Sequence, residues 1–287
     1  LASVTTIDPR VESSYSEQAS LQVERELPGQ TSLSLGYLHL RGLHLLLSRN
    51  VNVPTAPASA GIPNLGRPFS DFANIGRFES SGDSYYDGLT IGLNKRAGSW
   101  ASLRLSYTFS KAIDTAGNFF FSTPQDNFNL RDERGLSDND QRHRLTISGS
   151  LEVPATRNDS APTLRRSLAG FQLSYILTYG SPLPFNVQTG TDRNFDTNTN
   201  DRPAGVGRNT GRGFDFASLD VRLSRKFQLR EHFAVEAVAE GFNVLNRSNL
   251  QIPNNTFGAG VVPRPSFGRP TSAADPRQLQ LGLRLSF

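Results

Sequence analysis

The chain has 287 residues, with 30 Lys plus Arg against 26 Asp plus Glu and a formal net charge of +4. The basic excess is scattered arginine with no block of like charge, which excludes a nucleic-acid-binding arm. Cysteine is absent, so no disulfide framework or thiolate metal site is available, and no run of about 18 apolar residues exists to form a transmembrane helix. A membrane barrel stays open, because its strands alternate and their average hydropathy is low. LASVTTIDPR, the first ten residues, lacks the basic-then-apolar pattern of a signal peptide. With no methionine anywhere, the chain is expected to be a processed product or a fragment.

Alternation dominates the rest. Nine segments read as strands: 14–27, 31–41, 84–96, 99–112, 140–154, 168–181, 215–229, 232–246 and 276–287. In LQVEREL, Leu21, Val23 and Leu27 oppose Gln22, Glu24 and Glu26, with Arg25 the exception on the apolar side. In RHRLTISGSLEV, Leu145, Ile147, Leu151 and Val153 oppose Arg144, Thr146, Ser148, Ser150 and Glu152. Phe171, Leu173, Tyr175, Leu177 and Tyr179 form an unbroken apolar face, and so do Leu279, Leu281, Leu283, Leu285 and Phe287. A period of two with one apolar side is the pattern of a strand between two media.

The strands are long, at about 11–15 residues where globular strands average about 5–6. Thirteen residues tilted by about 40° rise roughly 33 Å, enough for the roughly 25 Å apolar band of an outer-membrane barrel. Connections alternate between short (28–30, 97–98, 230–231, with a medium one at 155–167) and long (42–83, 113–139, 182–214, 247–275). Short periplasmic turns and long extracellular loops are the arrangement in such barrels. The fold class expected is therefore all-β, an antiparallel transmembrane β-barrel. Counting back from a descending last strand, the first also descends, which places Leu1 on the extracellular side. An odd count and an outside start predict a partial barrel, the carboxyl-terminal piece of a larger one. Taken alone, such a piece is expected to aggregate, oligomerise or curl until its first and last strands meet, with a tenth strand drawn from 42–83 or 1–13.

Five blocks extend this reading: YSEQASLQVERELPGQTSLSLGYLHLRGLHLL, DGLTIGLNKRAGSWASLRLSYTFSKAID, SDNDQRHRLTISGSLEVP, EGFNVLNRSNL and FGRPTSAADPRQLQLGLRLSF. In order and spacing they resemble Oar-like TonB-dependent receptors from Tyr15 to Phe287, most weakly in the long loops. The resemblance implies an outer-membrane protein with an amino-terminal carboxypeptidase-regulatory-like domain, a plug and a barrel closed by 22 strands, of which this chain resembles only the last nine or so. Residues 1–287 then form a barrel segment without plug or TonB-contacting box. It implies nutrient uptake, contact with outer-membrane lipid, a TonB complex met only through the plug, and Phe287 as the signal read by the barrel assembly machinery. The substrate is not legible. Two alternatives remain: a surface or adhesion barrel without transport, and a soluble β-sandwich binding module.

The candidate site is a face and not a motif. Alternation turns Arg104, Arg142, Arg144, Glu152, Asp220, Arg222, Lys226, Glu236, Glu240 and Arg284 toward a lumen, where mixed charge suits a plug or solute; the bland reading is a solvated face of mutual salt bridges. Tyr15, Tyr37, Tyr85, Trp100, Tyr107, Phe109, Tyr175 and Tyr179 fall where interfacial girdles sit. NFFF at 118–121 is an exposed aromatic cluster that either binds a ligand or packs under its loop. DRNFDTNTNDRP places Asp192, Asn194, Asp196 and Asn198 as a calcium loop would, but Thr197 stands at its glycine position and Pro203 at its closing glutamate; local Asx turns are the simpler reading. GVGRNTGRG lacks the strand and helix of a phosphate loop. His39, His44, His143 and His232 lack ligand spacing. No GxSxG or nucleophile–base pair occurs, so neither an enzyme nor a cofactor is expected.

Overall fold

The computed structural model describes residues 1–54, 66–115, 117, 123–154, 163, 168–230 and 232–287. Fifteen strands occur among them. In chain order they are β1 (Ala2–Ile7), β2 (Tyr15–Leu27), β3 (Thr31–Asn50), β4 (Phe72–Ala97), β5 (Ala101–Asp114), β6 (Gly135–Leu136), β7 (His143–Glu152), β8 (Phe171–Gly180), β9 (Pro184–Phe185), β10 (Gly211–Arg212), β11 (Phe216–Arg230), β12 (Phe233–Phe242), β13 (Leu250–Pro253), β14 (Pro270–Ala273) and β15 (Gln278–Ser286). A single 3₁₀ turn, Leu130–Glu133, precedes β6. No described helix is long and apolar enough to cross a membrane, a statement that has no bearing on strands.

Nine strands match the nine alternating segments and form one antiparallel meander in sequence order, β2-β3-β4-β5-β7-β8-β11-β12-β15. The other two sheets are two-stranded ribbons, β9–β10 and β13–β14, within long connections. No second large sheet faces the first among the described residues, which sets the sandwich alternative aside. Short turns close one end. At 28–30 the turn places Gly29 at φ 81° and Gln30 at φ 55°, a left-handed pair that matches strand twist in a tight hairpin.

The sheet is open. Among the described residues β2 pairs only with β3, and β15 only with β12. The expectation that the isolated chain curls until its first and last strands meet is thus corrected. In a meander of nine antiparallel strands the first and last run in the same direction, so β2 and β15 cannot add to each other in the antiparallel pattern of the rest of the sheet. The strand added before residue 13 is β1, which runs parallel to β4 along Phe72–Phe78 and closes nothing.

A second correction concerns 42–83, expected to be a loop. β3 and β4 run on as a paired arm to Asn50 and from Phe72. The β4 residues above Ser84 extend it by roughly 40 Å at about 3.3 Å per residue. Bulges between Gly42 and Leu47 break the period, and both faces of the arm are packed, burying Leu47, Ser48, Asn50, Ile75 and Glu79. A strand with two covered faces has no reason to alternate.

Register carries the two faces across the sheet. Leu105, Ile147, Leu177 and Leu219 lie side by side, as do Tyr107, Leu145 and Tyr179. Ala101, Leu151, Leu173, Leu223, Ala239 and Leu281 make another row. Leu151, Leu223, Ala239 and Leu281 are exposed, Leu281 to 84%, and the others are only half-buried. Buried aliphatic side chains among the described residues are confined to Leu47, Val53, Ile75, Val187 and Ala234. An apolar face this large and this uncovered is built for hydrocarbon and not for water.

Candidate functional site

The opposite face is hydroxylated in its middle and charged on both flanks. One row runs Arg96, Ser102, Ser150, Ser174, Arg222, Glu240 and Gln280. Another runs Ser34, Gly92, Ser106, Thr146, Thr178 and Ser218. Ser102 and Ser150 share a hydroxyl hydrogen bond of 2.7 Å. Near the short-turn end this face cups a groove of about 770 Å³, lined by Glu24, Glu26, Asn94, Arg96, Arg104 and Ser148 among others.

The residues singled out in the sequence gather in part and are otherwise spread over the face. Arg222, Glu236 and Glu240 come together: the Arg222 guanidinium donates to Glu240 at 3.0 Å and lies 3.6 Å from Glu236. Lys226, Glu236 and Arg284 share one register row beside them. Arg104 lies apart, in the groove, donating to Asn94 at 3.0 Å. Arg144 shares a row with Thr108 and Gly180, and Glu152 one with Gln172. Asp220 turns to local work, accepting from the Ser218 hydroxyl at 2.8 Å and the Asn243 amide at 2.9 Å. Arg142 sits at the loop end of β7, 3.4 Å from Asp140 and 5.9 Å above the centroid of Phe109, a ring of the apolar face. It belongs to the rim.

Above the sheet, the long connections knit into a buried polar layer that alternation did not reveal. Arg202 donates to Glu133 at 3.0 Å, and Arg208 reaches Asp114 and the Glu133 carbonyl. The Asn209 amide donates to the Leu136 carbonyl at 2.8 Å and to Asp138 at 2.7 Å. Asn52, fully buried, donates to the carbonyls of Phe69, Phe72 and Ala73. A cavity of about 280 Å³ lies within this layer, lined by Glu133, Asn186, Asn200, Arg202, Arg208 and Asn209 among others. The glycine-rich stretch 205–213 is thus a scaffold that seats Arg208 and Asn209. The clustering of Arg and Asn between glycines was the one sequence sign of it.

Charge in this layer is mostly paired. On the arm, burial pushes the Glu79 carboxyl up, but Arg49 at 2.7 Å and Arg77 at 2.8 Å outweigh it and hold it below its ordinary value. Asp196 is the reverse case. Burial raises its carboxyl, the Asn198 amide opposes this, and the charges of Asp192 and Asp201 raise it further.

The four histidines bring no metal set together. His39 meets Asp87 at 2.8 Å, His44 meets Glu12 at 2.8 Å, and His143 meets the Tyr107 hydroxyl at 2.8 Å. Among the described residues no group of three or more His, Cys, Asp or Glu side chains is arranged to hold a metal ion. The NFFF cluster lies outside the described residues. Of the aromatic candidates, Tyr85 is flanked by Arg41 and Arg134, 5.5 and 5.3 Å from its ring centroid, and Trp100 stands exposed at the turn after Gly98.

The comparisons with known proteins bear on the whole sheet. The family model described as outer membrane beta barrel domain matches residues 1–207 and 204–280. Among solved structures, the outer membrane transporter YddB from Escherichia coli superposes with a TM-score of 0.61 at 11% identity, over 97% of this chain and 33% of that one. The FrpB iron transporter from Neisseria meningitidis gives 0.54 at 14% identity, over 97% and 32%. The ferric enterobactin receptor PfeA from Pseudomonas aeruginosa gives 0.53 at 14%, over 96% and 31%. No curated protein sequence matches. The chain spans about a third of the length of the transporters it superposes on, and at these identities the likeness is one of fold. Strand length, the two faces and the family match have one reading: the chain belongs to the outer membrane β-barrel domain family and lies in the outer membrane.

Proposed function

We propose that residues 1–287 form the carboxyl-terminal segment of the barrel of an Oar-like TonB-dependent transporter for nutrient uptake. The observation that carries this reading is the open sheet, whose edge strands β2 and β15 each have one unpaired side among the described residues. In hydrocarbon every unsatisfied backbone group costs several kcal/mol, so further strands of the same protein must cover both edges. Its span of about a third of the solved transporters is in keeping with that.

In this reading Arg104, Arg144, Glu152, Arg222, Lys226, Glu236, Glu240 and Arg284 face the lumen and meet a plug or the passing solute. Asp220 and Arg142 support the turns and rim. The TonB complex is reached only through a plug outside these residues, and the protein is a receptor and not an enzyme. Phe287, fully exposed and in phase with four leucines, is the proposed contact for the assembly machinery. The tall β3–β4 arm favours a second reading, a surface barrel that adheres without transporting. Energised uptake by cells carrying the full-length protein tests the two. Loss of uptake on removing TonB, with unchanged surface levels, supports transport. Adhesion that persists without TonB, and no uptake of any tested nutrient, supports the alternative.

A further inference from the structure

The apolar face of the sheet changes character toward the end that carries the long connections. Along β4 and β5, register pairs Leu93 with Leu105, Ile91 with Tyr107, then Leu89 with Phe109, and then Asp87 with Lys111. All eight share one phase, and successive rows stand about 7 Å apart, at two residues of about 3.3 Å each. On β3, Tyr37 lies beside Leu89, His39 beside Asp87, and Arg41 beside Tyr85. Aliphatic, aromatic and charged side chains thus follow one another up a single face. That is the order of media met on leaving hydrocarbon through a membrane interface, and the switch to charge falls within one row.

The charges at this edge are unevenly partnered. Asp87 Oδ1 is occupied by the Tyr37 hydroxyl at 2.6 Å and by His39 at 2.8 Å. Asp83, two residues before Tyr85, accepts from the Thr115 hydroxyl at 3.2 Å. Arg41 stands 3.6 Å from Glu17, beyond an ordinary hydrogen bond. Lys111 and Arg134 are exposed and form no ion pair among the described residues. Arg134 lies instead over the ring of Tyr85, 5.3 Å from its centroid, with Arg41 at 5.5 Å from the same ring. A guanidinium over a ring still has a planar fork of N–H groups for an acceptor, and that fork matches a phosphate. In water a cation without a partner is ordinary. At the edge of a hydrocarbon layer its neighbours are lipid headgroups, and an anionic one supplies the missing charge.

We propose that this edge of β3, β4 and β5 is a docking site for a phosphate-bearing lipid of the adjoining leaflet. The phosphate meets Arg134 and Lys111, with Arg41 supporting it from the same tyrosine ring. The acyl chains run down the row of Tyr37, Leu89 and Phe109, whose Tyr37 and Phe109 are 45% and 44% exposed. With the long connections outside the cell, that leaflet is the outer one.

The test uses the full-length protein in phosphatidylcholine vesicles carrying a trace of spin-labelled phosphatidic acid or spin-labelled phosphatidylcholine. Electron spin resonance reads the immobilised fraction of each label. Phosphatidic acid should associate about tenfold more strongly at low salt, and the preference should shrink as salt is raised. Arg134→Gln and Lys111→Gln should each lower the preference by about threefold. Arg264→Gln, which removes the same charge from the 247–275 connection, should leave it unchanged. Heat-modifiable gel mobility shows that each variant is folded. Excess inorganic phosphate separates the two sources of that group: a lipid site keeps its labelled lipid, because the acyl chains add to its hold. Equal association of the two lipids, a preference unchanged in both glutamine variants, or full displacement by inorganic phosphate overturns the proposal.

Discussion

Arg208 and Asp114 meet across 94 residues of sequence, Nη1 of the guanidinium donating to the carboxylate at the loop end of β5. Both residues are nearly inaccessible, at 8% and 6% exposure. The pair joins the connection after β8 to the sheet itself.

Removing one partner of such a pair leaves a buried, uncompensated charge and costs about 3–5 kcal/mol. Arg208→Ala is therefore expected to open the 182–214 connection to protease while the strands stay assembled. Replacing both residues by apolar ones of similar volume should restore protection in part. A double variant cleaved faster than Arg208→Ala would refute the pairing argument.

Facing is tested in the middle of β7 and β8. Ile147 and Leu173 lie in the apolar rows, and Ser148 and Ser174 lie on the hydroxylated face. A lysine on a lipid-facing midplane site costs about 2–4 kcal/mol, so Ile147→Lys and Leu173→Lys should each lower the stability of the refolded full-length protein by that much. Ser148→Lys and Ser174→Lys should cost far less. Denaturant titration in lipid vesicles measures the difference, and equal losses would mean the phase is wrong.

Close packing between strands gives a third test. A side chain at Gly149 would stand 2.7 Å from the Tyr175 hydroxyl and still closer to the Ser102 carbonyl, a backbone atom that cannot move aside. Gly149→Ala should cost about 1–3 kcal/mol, the range for overpacking. Gly282 has nothing nearer than 4.0 Å, so Gly282→Ala should leave stability unchanged in the same assay.

Acid should loosen the arm. The folded Glu79 carboxyl is held below its ordinary value of 4.5 by Arg49 and Arg77 despite its burial. A depressed carboxyl contributes stability that is fully present above the ordinary value and is lost as pH falls through the folded one. Protection factors of the amides in β3 and β4 above Ser84, exchange rates divided by the intrinsic rate at each pH, should thus be high at neutral pH and fall only below 4.5. In Glu79→Gln the same amides should be less protected at neutral pH and lose that acid dependence. Protection in the wild type that is unchanged through this range would remove Glu79 from the account.

How much of this was legible depends on what each segment faces. Leu145 to Glu152 lie between two different media, so their alternation states both strand and side. Leu45 to Asn50 are strand as well, yet the arm is covered on both faces and bulged at Gly42, and the period vanishes. The charged flank was readable for Arg222, Glu236 and Glu240, because a register row brings together residues of one phase. Asp220 and Arg142 have the right phase and yet serve a turn and the rim, which the phase alone does not distinguish. Arg202, Arg208 and Asn209 sit in irregular backbone, where no period reports burial, and only the partners they meet reveal their role.

The rows of serine and threonine on β5, β7 and β8 have a mechanical consequence. Hydroxyls both donate and accept, and adjacent strands repeat them every 4.7–4.9 Å or so. In the proposed reading, a polar body crossing the Ser102, Ser150 and Ser174 row surrenders one hydrogen bond as it takes the next. That row is a staircase of shallow, nearly equal steps, slippery in the sense that no single step holds its occupant. Firmer grip comes from the charges beside it, Arg104 on one side and, on β11 and β12, Arg222 between Glu236 and Glu240.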